Sequence, residues 1–165
     1  MPDQATTSII VAGSSALVAI TLAVTTFLER RQQQKEQTLL RALECLTGGS
    51  QKRSVGIAMI EGLWYKGHPY HRAILPALTN QAIYLLLETP SSGRSQFHNW
   101  LRIMELILRP PAAPEFHDLY CELSEALRER ATEDETPNEG LQITPTTSKL
   151  WLKRIHDHGG LGSVI

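Results

Sequence analysis

Cysteine is almost absent from this chain. Its 165 residues hold two thiols, Cys45 and Cys121, with no CxxC spacing. Such a count allows one disulfide at most. Both residues sit inside helical patterns beside leucines, so they are read as reduced, half-buried core residues in a cytosolic compartment. The signatures of catalysis are missing as well: there is no Gly-x-Ser-x-Gly elbow and no HExxH pair. Gly159-Gly160-Leu161-Gly162 has no helix after it to form a phosphate loop. Net charge is only −1 at pH 7, so bulk electrostatics recruit neither nucleic acid nor an acidic membrane. No catalytic, cofactor-binding or metal-ligating residue is assigned, and the chain is read as a non-enzyme. The two histidine clusters, His68-Pro69-Tyr70-His71 and His156-Asp157-His158, are read as surface or turn histidines. A tight metal site needs three or four ligands converging from fixed directions, and a proline or a helix end interrupts each cluster.

Charge is also missing from one long run. From Ala5 to Leu28 no residue is charged. At about 1.5 Å per residue a helix of that length reaches roughly 36 Å, more than the ~30 Å hydrocarbon core. The run therefore predicts a single transmembrane helix over 5–28, with 1–4 a short external N-terminus and 29–37 a juxtamembrane stalk. A cleaved signal peptide would need a basic region before the run, and only Asp3 is there. Arg30, Arg31 and Lys35 flank the run on its C-terminal side, which predicts a plasma-membrane, single-pass protein with its N-terminus outside and its C-terminal domain cytoplasmic. Ser8, Ala12 and Ala16 lie four apart, as do Ser15, Ala19 and Ala23, a spacing that suits self-association of such helices.

What remains is 42% hydrophobic and 20% charged over the whole chain, ordinary for a folded protein. The pattern is helical throughout. A first helix carries Leu39, Leu40, Leu43 and Leu46 and stops at Gly48-Gly49, where a left-handed glycine can close it. Ser50 is the expected N-cap of a second helix with Val55, Ile57, Met59, Ile60, Leu63 and Trp64. Gly56 and Gly62 inside it cost about 1 kcal/mol each against Ala, so close packing is the expected compensation. A third helix, Tyr70 to Glu88, is apolar nearly all round and is expected to be the most buried. Pro76 either kinks it or restarts it. A fourth carries Phe97, Trp100, Leu101, Met104, Ile107 and Leu108 up to Pro110-Pro111. Pro114 opens a fifth with Phe116, Leu119, Tyr120, Leu123 and Leu127. An acidic loop and an extended segment fill 132–147, and Ser148 is expected to cap a short last helix within 148–165.

The Leu-x-x-Leu helix, the Gly-Gly-Ser turn and Arg53 leading into Val-Gly-Ile-Ala-Met-Ile-Glu-Gly-Leu resemble a helical hairpin of the HEAT/armadillo kind. The likeness spans about 38–88 and extends toward 109. It implies hairpins that stack and bind other proteins. The fold class is thus all-α: the transmembrane helix, then an irregular helical bundle or short stack of hairpins over 38–131.

Charge along the chain is uneven. Eleven basic against five acidic residues from Arg30 to Arg109 give a balance of +6, and nine acidic against two basic from Pro110 to Gly140 give −7. Glu115, Asp118, Glu122, Glu125 and Glu129 recur every three or four residues, opposite the apolar stripe of the fifth helix. They form a candidate interaction face, either solvated or docked on basic residues. The expected function is a membrane-tethered interaction module, an adaptor or small subunit, held by the lipid bilayer through 5–28 and bound to a protein partner. A conditional regulator using the acidic helix and tail is the alternative, followed by an enzyme whose site the sequence hides.

Overall fold

The computed structural model describes the backbone of residues 4–64, 70–87, 93–132 and 143–159, with side chains described from residue 22. Every regular element among them is helical. They are α1 (Gln4–Leu46), α2 (Ser50–Leu63), α3 (His71–Leu87), α4 (Gly93–Ile107), a 3-10 turn (Pro114–Phe116) leading into α5 (His117–Thr132), and α6 (Pro145–Gly159). The chain divides into two units, 1–40 and 41–165.

In the first unit, α1 runs without a break through the expected membrane span, the charged flank and the polar stalk. No Gly or Pro lies between Leu28 and Leu46 to stop it. Threonines return their hydroxyls to the preceding turn: Thr25 and Thr26 both donate to Leu22 O, at 3.0 and 2.7 Å. All described side chains from Leu22 to Gln37 are exposed.

Among the described residues, no helix is long and apolar enough to cross a membrane. The transmembrane helix expected over 5–28 is therefore not supported, nor is the single-pass plasma-membrane placement with an outside N-terminus. Only Leu22 to Leu28 of that span lie among residues with described side chains. These seven are followed within the same helix by Glu29, Arg30, Arg31 and the polar run to Glu36, so the described part of α1 is amphiphilic and short of a span. The side chains of 5–21, with the small-residue stripe, fall outside the described residues.

In the second unit, α2 packs on α4, α3 on α4 and α5, and α5 on α6. Gly48-Gly49 ends α1, but neither glycine is left-handed; Gly49 is the N-cap of α2 with φ −63° and ψ 172° and no side-chain cap. Ser50 is the first residue of α2 rather than its cap. The expected compensation for glycine in α2 holds at one of two positions. A Cβ on Gly56 would stand 2.7 Å from Ala42 O, so α1 lies against it, whereas Gly62 has nothing within 4 Å.

Pro76 lies inside a continuous α3, in its second turn, so the helix does not restart there. It forfeits one backbone hydrogen bond, and the seven buried residues of α3 supply the packing that holds the helix through it. α3 is not uniquely enclosed: Tyr84 and Leu87 are about half exposed, while Trp100, Ile103, Met104, Leu106 and Ile107 of α4 are fully covered. Trp100 meets Trp151 of α6 edge to face at 5.8 Å, a favoured aromatic geometry. α6 begins three residues before the expected Ser148. Thr144 is its cap, accepting from the Thr147 N–H at 3.1 Å, and Pro145 takes the first helical position, where its missing N–H costs nothing.

Candidate interaction surface

α5 is two-faced because its apolar residues recur at helical spacing. Tyr120, Leu123, Ala126, Leu127 and Ala131 are buried with Ser124, and the opposite face is left to solvent. Asp118, Glu122, Glu125 and Glu129 are exposed, and among the described residues none forms an ion pair. Arg128, three residues beyond Glu125, is exposed and pairs with none of them. Glu115 behaves differently. It lies in the 3-10 turn, where Arg72 of α3 grips its carboxylate with both arms, Nε at 3.1 Å and Nη2 at 2.6 Å. This hydrogen-bonded carboxylate holds the Arg72 guanidinium above its ordinary pKa. Of the five acids predicted as one face, Asp118, Glu122, Glu125 and Glu129 stand exposed on α5, while Glu115, also exposed, precedes the helix and is paired with Arg72.

Carboxylates at i, i+4 on a helix repel by about 0.2–0.5 kcal/mol per pair. Asp118/Glu122 and Glu125/Glu129 are two such pairs. Among the described residues no ion pair offsets them, although Asp118, in the first turn, is favoured by the helix dipole. Asp118, with His117 and Tyr120, also borders an open pocket of about 520 Å³ whose other walls are Ala112, Ala113 and Pro114. Cys121 lies on this side too. It is exposed rather than half-buried, its sulfur 3.6 Å from His117 Nε2, while Cys45 is half-buried; both are free thiols.

The basic residues expected to flank a bilayer, Arg30, Arg31 and Lys35, are exposed along α1, with Arg31 over the Phe27 ring at 5.1 Å. His68 is outside the described residues. His71 is half-buried 4.6 Å from Trp64, and its burial lowers its pKa. His158 packs edge-on against Tyr120 at 5.7 Å. No group of three or more metal-ligating side chains occurs among the described residues.

The α5–α6 seam contains polar atoms that find no hydrogen bond among the described residues: Tyr120 OH, Ser124 Oγ, Ser148 Oγ and His158 Nε2. Burial raises the Tyr120 pKa, which keeps the phenol neutral.

Two features escape a reading of the sequence. Arg102 grips Glu61 with bonds of 3.1 and 2.7 Å, and Arg154 grips Glu105 at 2.8 and 3.3 Å, both between helices. Arg53 is only 4% exposed. Its signal was in the spacing: Arg53, Gly56, Ile57 and Ile60 share one face of α2.

Comparison with protein-family models, with curated proteins and with solved structures finds no match. The functional reading rests on the geometry of this chain.

Proposed function

We propose that the helical unit 41–165 is a non-enzymatic protein–protein interaction module, an adaptor or small subunit, that docks a basic partner surface on the outer face of α5. The observation that carries this reading is the unneutralised row of Asp118, Glu122, Glu125 and Glu129. Arginines elsewhere in the bundle already close on carboxylates of neighbouring helices. Among the described residues this row stands out as a concentrated acidic surface on a helix packed against α3 and α6. Complementary charge on a partner would relieve the self-repulsion and steer the encounter. The proposal includes a short stack of hairpins akin to the HEAT/armadillo kind. In its support, α2 and α4 lie side by side in the same direction, and the start of α3 is tied to the turn that opens α5.

The test is chemical crosslinking of the full chain in its native extract, comparing the parent with E122K/E125K/E129K. The variant should keep its circular dichroism spectrum and lose a reproducible set of crosslinked proteins. An unchanged set would refute the docking face.

A further inference from the structure

Beside the acidic row of α5, the neighbouring helix α6 exposes charge of the opposite sign. Lys149 and Lys153, one turn apart, are exposed, and neither forms an ion pair among the described residues. Leu150 lies between them and is 58% exposed, whereas Trp151 and Ile155 of the same helix are buried. Alone it would be an ordinary surface leucine. Framed by two unpaired lysines and flanked by an unpaired acidic helix, it gives that surface an apolar centre with a charged rim.

The register of the two helices decides what a second copy would meet. α5 and α6 pack side by side and antiparallel. Tyr120 meets His158 at 5.7 Å near one end, and Arg130 Nε donates to Ile143 O at 3.4 Å near the other. Both helices rise about 1.5 Å per residue, so counting inward from these contacts sets the levels. Lys149 falls between the levels of Glu125 and Glu129, and Lys153 between those of Glu122 and Glu125. A half-turn about an axis parallel to the helices keeps every residue at its level and lays α6 of one copy over α5 of the other. The lysines of each copy then face the glutamates of its partner, and the contact occurs twice, as two-fold symmetry requires. Asp157, one turn beyond Lys153, falls near the level of Asp118, so Asp118 is the end of the row that gains no partner.

We propose that the basic surface taken by the acidic face of α5 is α6 of a second copy of this chain, in a two-fold symmetric dimer. The inference rests on the reading of α5 as a docking face and adds the identity of its partner. Leu150 supplies the apolar part of each contact, and the facing charges steer the two copies into this register. Any other register sets a lysine level with a lysine or leaves the glutamates unpaired.

The experiment measures the mass of the purified full chain by sedimentation equilibrium at concentrations from about 1 to 100 μM. It compares the parent, K149E/K153E, E122K/E125K/E129K and an equimolar mixture of the two variants. The parent should dimerise, with a Kd that rises with sodium chloride. Each reversal sets like charges at both contacts of its own dimer and should raise the Kd by about tenfold or more, with an unchanged circular dichroism spectrum. In the mixture both contacts again join opposite charges, so heterodimers should return near the parent's Kd. A parent that stays monomeric at about 100 μM overturns the dimer but leaves the acidic face to a different basic partner, which crosslinking in the extract tests separately. An assembly that either reversal leaves intact is held elsewhere, through the exposed apolar residues of α1 for example, and also overturns the proposal. So does a mixture that fails to reassociate.

Discussion

Replacing Gly56 with alanine sets two effects against each other within one helix. Alanine is favoured over glycine in a helix interior by about 1 kcal/mol. At Gly56, however, the new Cβ would stand 2.7 Å from Ala42 O, 2.9 Å from Cys45 Cβ and 3.1 Å from Leu46 N. Two of those atoms are backbone of the last turns of α1 and cannot rotate away as a side chain would. Overpacking of this kind costs about 1–3 kcal/mol, so Gly56→Ala should be net destabilising by up to about 2 kcal/mol. Gly62 lies in the same helix, with no atom near its missing Cβ. There only the propensity remains, and Gly62→Ala should stabilise by up to about 1 kcal/mol, less the discount of lying near the helix end. Each kcal/mol moves the melting temperature by roughly 2–8 °C for chains of this size class. Circular dichroism melts of the two full-length variants should therefore move to opposite sides of the parent. Shifts of the same sign would refute the close approach of α1 to α2.

Leu86→Ala and Leu87→Ala test the register of α3, since the first side chain is 2% exposed and the second 56%. The first should cost about 2–5 kcal/mol and the second less than about 1 kcal/mol in the same melts; equal losses would place both in the core. His71 gives a pH signature. Burial lowers its pKa below 6.5, so the unfolded chain takes up its proton first as the pH falls. Its stabilising contribution is whole above pH 6.5 and declines as the pH drops through that value toward the folded pKa. Melts between about pH 7.5 and 5.5 should show a falling Tm, with a shallower slope for His71→Gln; equal slopes would remove the effect from His71.

The helices of the second unit were legible because punctuation and periodicity agreed. Gly48-Gly49, Pro110-Pro111 and Pro114 bound elements whose apolar residues recur at three and four. α6 starts before the expected Ser148 because Thr144-Pro145 reads as extended chain when Ser148 is taken as the cap, although the same pair supplies a cap and a first helical residue. The polar run after Leu28 is helix-compatible and holds no breaker before Leu46, so the continuation of α1 through it was legible; the uncharged run over 5–28 misled only as a membrane span. Periodicity grouped the acidic row on one face of α5 but could not separate Glu115 from the others. Its partner, Arg72, lies 43 residues away, and the Glu61–Arg102 and Glu105–Arg154 pairs span 41 and 49. Local spacing cannot register such pairings. Arg53 was visible among apolar neighbours, but its burial depends on three other helices closing over it.

Because Cys121 is exposed on α5 between the outward-facing Asp118, Glu122 and Glu125, the acidic face carries its own reporter. The second thiol, Cys45, sits half-buried where α1 meets Gly56. A spin label or environment-sensitive dye introduced under brief, limiting conditions would therefore settle first on the surface where docking is proposed. Its mobility or emission could follow occupancy of that surface in real time, with no engineered cysteine and whatever the partner's identity.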